Sequence, residues 1–200
     1  MRFRRVIPAT LVALLLIPSV ARADWLFTPY IGGNMGGDTI DTQANFGVSA
    51  AWMGAGAFGF EFDAGWAPDF FDTGNDDAAS LVSDSAVGTY MFNVVVGVPV
   101  GGQEGMGVRP YGSAGIGAIQ TRVESDLGFV DSDETDFGWN VGGGVMGFFS
   151  DNVGLRGDVR YFGSAQNNLE DGPLTEDIER FRFWRLTGGV VLRFGMGGNP

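Results

Sequence analysis

The chain of 200 residues contains no cysteine, no histidine and no lysine. Without cysteine there is no disulfide framework and no thiolate to act as nucleophile or metal ligand. Without histidine the usual general base and transition-metal ligand are missing, together with every Ser-His or Cys-His nucleophile arrangement. The adjacent pair Asp76-Asp77 does not hold two carboxylates across a substrate, so an enzyme is not expected. All 12 cations are arginines, set against 24 acids. Nucleic acid is not expected as a partner, because binding it needs basic surface to displace counterions. Long apolar runs are scarce too. No segment after residue 23 approaches the ~20 apolar residues of a membrane-spanning helix, and none sustains a 3.6-residue period.

What is present begins with an export signal. Met1-Arg-Phe-Arg-Arg5 is a basic start, Val6 to Ile17 a short apolar core, and Ala21-Arg-Ala23 a small-x-small cleavage site. Residues 1–23 are therefore expected to be a cleaved signal and 24–200 the mature domain. Four of the arginines lie in the signal, which makes the mature net charge 8 − 24 = −16.

The mature part alternates with a period of two, the signature of strands with one apolar face. Phe58, Phe60, Phe62, Ala64 and Trp66 alternate with Gly59, Glu61, Asp63 and Gly65; Trp184 to Phe194, Val153 to Gly163 and Tyr90 to Val98 behave alike. Weaker versions cover Phe46–Met53, Arg109–Thr121 and Phe137–Phe148, and Phe27–Met35 stands in front. The count is eight, an even number that closes into an up-and-down all-β antiparallel barrel. Connections alternate in length: Gly54–Gly56, Pro99–Gly107 and Phe149–Asn152 are short or Gly-rich, whereas Gly36–Gln43, Pro68–Ser83, Ser125–Asp136 and Ser164–Arg180 are mostly longer and acidic. Short turns at one rim and long loops at the other are the transmembrane arrangement, with the long loops outside. Aromatic residues then fall at two levels. Trp66, Tyr90, Trp139, Tyr161 and Trp184 lie near the outer rim, and Phe27, Trp52, Phe149 and Phe194 near the inner one, as two membrane interfaces require.

On these residues, above all Phe58-Gly-Phe-Glu-Phe-Asp-Ala-Gly-Trp66, Arg109-Pro-Tyr-Gly-Ser-Ala-Gly-Ile-Gly117 and the closing Val190-Val-Leu-Arg-Phe194, the mature chain resembles the small outer-membrane barrels of the OmpA-transmembrane-domain and OmpX type. The resemblance implies an outer-membrane location, lipid and lipopolysaccharide as surroundings, no cofactor, and recognition of the last strand's aromatic by the barrel-insertion machinery. That aromatic is Phe194, which six residues follow.

Two sets of charges are candidates for function. Glu61, Asp63 and Asp158 share the inward frame with Arg109, Arg156, Arg160, Arg185 and Arg193. On the lipid face each would cost ~2–4 kcal/mol at mid-depth, so they belong inside. The expected arrangement is a network of ion pairs filling a narrow lumen, with Glu61 or Asp63 meeting Arg156 or Arg160 across it; the alternative is a gated ion path. The second set is the loops, which carry or adjoin 18 of the 24 acids. They keep the rim solvated, bridge through divalent ions to lipopolysaccharide, or meet an extracellular partner. Within them Asp131, Asp133, Glu134 and Asp136 form a weak Ca²⁺ candidate, lacking the Gly of an EF-hand loop. The functional expectation is a non-enzymatic envelope protein acting through acidic loops. A narrow pore or small-ligand conduit is the alternative, and a soluble lipocalin-shaped barrel a third reading.

Overall fold

The computed structural model describes residues 23–37, 42–54, 57–68, 84–101, 105–124, 132–165 and 182–195. The expected signal, apart from Ala23, lies outside the described residues, as do most of the acidic loops. Eight strands run in chain order: β1 (Ala23–Met35), β2 (Gln43–Gly54), β3 (Phe58–Pro68), β4 (Asp84–Gly97), β5 (Gly107–Glu124), β6 (Ser132–Phe148), β7 (Val153–Ala165) and β8 (Arg182–Gly195). Each pairs antiparallel with the next, and β8 pairs with β1 to close the barrel. The eight-stranded antiparallel barrel expected from the alternation is the fold.

The stagger follows from the register. Stepping from Trp25 through its partners Trp52, Phe60, Val94, Ala114, Val141, Tyr161 and Trp184 returns to β1 at Met35, ten residues further along. Such a shift tilts the strands by about 40–45°. The ten residue steps from Trp184 to Phe194 on β8 thus span about 33 Å of strand and about 25 Å of barrel axis, the height of a lipid-facing apolar band. Trp66, Tyr90, Trp139, Tyr161 and Trp184 fall at one level of this frame. Trp139, Tyr161 and Trp184 touch in a row, with ring centroids 5.7 and 4.9 Å apart. The opposite ring contains Trp52, Phe149 and Phe194, and also Trp25 and Phe58, both half-exposed on the outer face. Trp25 escaped the sequence reading because β1 begins four residues before Phe27, at Ala23.

The long-loop rim differs more. β5 continues to Glu124 and β6 starts at Ser132, so most of the acidic run expected in a loop is paired strand, with Asp133 opposite Arg122 and Asp136 opposite Ile119. Glu134 and Thr135, adjacent and so on opposite faces, are both exposed, and polarity there does not mark the end of the ladder. The β-branched Ile119, Thr121, Val123 and Thr135 suit continued pairing.

At the inner rim the β4–β5 connection is the longest of the three short joints. An isolated bridge pairs Val100 with Val108, and Gly101 and Gly105 turn the chain at φ 92° and 75°, a region that favours glycine. The β6–β7 turn leans on it. Asp151 accepts from the Gly105 amide at 2.8 Å, while Arg193 donates from Nε to the Asp151 carbonyl.

Candidate functional site

Period two decides which side chains enter the barrel, and the register decides their height. Together they divide the lumen into layers. At the inner rim Arg109 and Arg193 flank Phe148, each guanidinium over its ring at 5.4 and 4.4 Å. Arg109 also meets Asp24 at 3.6 Å. Immediately above is an apolar cluster of Leu26, Ala51, Met53, Val95, Tyr111, Met146, Phe148 and Val191. At the other end Ala67, Val87, Met91, Ile119, Phe162 and Phe183 form a second cluster, in which Phe162 and Phe183 stack with centroids 4.9 Å apart.

Between the clusters lies the charged layer. Glu61 from β3 accepts from Arg156 Nη1 and Arg160 Nη2 on β7, both at 2.6 Å. Asp158 accepts from Arg160 Nε at 2.7 Å and from Arg156 Nη2 at 3.3 Å, and from the Tyr111 hydroxyl. Asp63 accepts from Arg185 at 2.7 Å and stands 4.0 Å from Arg160. Three carboxylates thus meet three guanidiniums, all but fully buried. The balance matters because a lone buried ion carries a desolvation penalty of several kcal/mol, which only a well-placed partner offsets. Neutral groups complete the shell: Asn93 donates to Glu61 at 3.2 Å, Asn140 to Asn93 at 2.8 Å, and Arg156 also donates to Ser49 at 3.0 Å. Aromatic faces cover the guanidiniums, with Tyr111 under Arg156 at 4.8 Å and Phe162 under Arg185 at 4.6 Å.

Glycines make the room. A Cβ on Gly142 would meet the Val159 carbonyl and Arg160, and one on Gly65 would meet Arg185 Nη1 and Thr89 Oγ1, both at 2.7 Å. The outward Gly157 and Gly188 have nothing within 4 Å of such a Cβ.

Sequence reasoning put eight charges in one lumen network. The structure brings Glu61, Asp63, Arg156, Asp158, Arg160 and Arg185 together, and sets Arg109 and Arg193 apart at the inner mouth. It also reveals two apolar clusters that were missed. Their signal was present: Met53, Met146, Phe162 and Phe183 sit on the inward frame near strand ends, and Met91 on the inward frame of β4. Of the Ca²⁺ candidate, Asp131 lies outside the described residues, whereas Glu134 and Asp136 belong to extended β6, not to a loop wrapped around an ion. Among the described residues no group of three or more acids is close enough to hold a metal.

The family profile described as outer membrane protein beta-barrel domain matches residues 9–194. The chain belongs to this family of outer-membrane β-barrels. Solved structures agree in fold. Neisserial surface protein A superposes with a TM-score of 0.58 at 20% identity, covering 86% of this chain and 99% of its own. The N-terminal barrel domain of Pseudomonas aeruginosa OprF gives 0.54 at 15%, covering 86% and 97%. Pseudomonas aeruginosa OprG gives 0.52 at 13%, covering 87% and 96%. No curated protein matches the chain in sequence. Membership of this family places the apolar band in the outer membrane.

Proposed function

We propose that this outer-membrane barrel is a closed, non-enzymatic envelope protein whose interactions are made by its acidic extracellular loops. The observation that carries the reading is the filled lumen. Two apolar clusters lie above and below a charge-balanced layer, and an ion would have to be dehydrated twice to pass them. The loops are assigned the outward role because 18 of the 24 acids lie in or beside the four long connections, a negative field at one rim. Divalent cations bridging this rim to lipopolysaccharide phosphates, or an extracellular partner, are the contacts such a field favours.

Two measurements test the two halves. In planar bilayers the purified barrel should give no conductance above the lipid background; steady single-channel steps would replace this reading with the narrow-pore alternative. Because the chain has no cysteine, single-cysteine variants are cleanly addressable. Asp76→Cys should react on intact cells with a membrane-impermeant thiol reagent, and Ser150→Cys only after the membrane is opened. The reverse pattern would invert the orientation and remove the loops from the cell surface.

A further inference from the structure

Inside the charged layer a small cavity remains between β1, β3, β7 and β8, bordered by Thr28, Asp63, Arg156, Asp158, Arg160 and Gly189 among others. Its free space suits about one water molecule. Two of its lining side chains are almost wholly buried and carry a polar atom without a partner, Thr28 Oγ1 and Arg160 Nη1. Arg160 Nη1 is 4.0 Å from Asp63 Oδ2, too far for a hydrogen bond but suited to a bridged contact.

A second, independent feature meets the cavity from the backbone side. The β1–β8 ladder runs from Asp24 opposite Gly195 to Phe27 opposite Leu192, skips Thr28 and Pro29, and resumes at Tyr30 opposite Gly189. Pro29 has no N–H to give, so the seam that closes the barrel is interrupted beside the cavity. The cavity therefore joins an unsatisfied guanidinium N–H, an unsatisfied hydroxyl and a gap in the ladder.

We propose that this cavity is a structural one-water site, in which a buried water accepts from Arg160 Nη1, pairs with Thr28 Oγ1 and ties β1 to the ion-pair layer where the seam is weakest. Water fits better than an ion. Asp63 and Asp158 border the site and repel an anion, Arg156 and Arg160 repel a cation, and the layer is already balanced at three charges of each sign. A water both donates and accepts, which the mixed lining demands. An apolar cluster lies at each end of the layer that holds the site.

The test is a crystal structure of the chain purified from membranes, at a resolution that shows ordered water, with bromide as the only halide. The expected result is one water-sized peak within about 2.7–3.2 Å of both Arg160 Nη1 and Thr28 Oγ1, with no anomalous bromine signal. In Thr28→Val, similar in volume but without the hydroxyl, the peak should fall at least about twofold in occupancy. An anomalous bromine peak, an Arg160 swung onto Asp63 with no peak between them, or a peak unchanged in Thr28→Val would overturn the proposal. The wild-type crystal decides the first two outcomes even if the variant does not fold.

Discussion

The middle of the lumen and its two ends are built from opposite materials. In the middle, six ionised side chains neutralise one another within hydrogen-bond distance. At the ends, Met, Phe, Val, Leu and Ile side chains fill the same cross-section. The difference teaches that burial is achieved in two ways inside one barrel. Charges are tolerated in the middle because every one has a partner. Tyr111 and Phe162 join the two materials, each lying against a guanidinium of the middle layer and belonging to an apolar cluster.

Four single variants and one double variant would break or sharpen this contrast, in decreasing order of expected effect. Glu61→Gln removes the carboxylate shared by Arg156 and Arg160 and leaves buried cations in excess. A loss of about 3–5 kcal/mol is expected from breaking such a pair on one side, read as a lower urea midpoint of tryptophan fluorescence in detergent or lipid. If the midpoint barely moves, the middle layer is wetter than its burial indicates. Phe162→Ala should cost about 3 kcal/mol, since it empties space beneath Arg185 and opposite Phe183. Together with Phe183→Ala it should, on the closed-lumen reading, also raise bilayer conductance more than Glu61→Gln does, because the stacked pair fills the lumen at the long-loop end. The opposite order would move the barrier into the ion-pair layer.

The glycines extend the contrast from the lumen to the lipid face. Gly142→Ala pushes a methyl into the Val159 carbonyl and Arg160, and a loss of about 1–3 kcal/mol is expected in the same unfolding assay. Gly157→Ala meets open space on the outer face and should stay within about 0.5 kcal/mol of the wild type. Equal effects at the two positions would show that the glycines act through strand propensity and not through the room they leave for arginines.

Much of this was legible in the residues alone. Phe58 to Trp66 declares a strand and its two faces, and the cost of charge in lipid assigns Glu61 and Asp63 to the inside. A facing contact of Glu61 or Asp63 with Arg156 or Arg160 was legible too, since β3 lies opposite β7 in a ring of eight, but which carboxylate meets which guanidinium was not. Other features were not. Trp25 was missed because its strand begins earlier than the alternation announces, and residues 132–136 read as loop because polar residues in water carry no in-or-out pattern. The position of Arg109 and Arg193 outside the central network, and the grouping of Met91 with Phe162 and Phe183, could not be read from any one strand.

By itself the sequence determined the number of strands, the face on which each side chain stands, the two aromatic rings and the absence of histidine- or cysteine-based chemistry. Only the tertiary structure decided the height of each inward residue, and with it the partners of each charge and the separation of the lumen into apolar and ionic layers. The physical reason is that a two-residue period reports a face and nothing more. Height comes from the cross-strand register, and a stagger of ten residues around the ring brings Glu61 level with Asp158 and lifts Phe162 to Phe183.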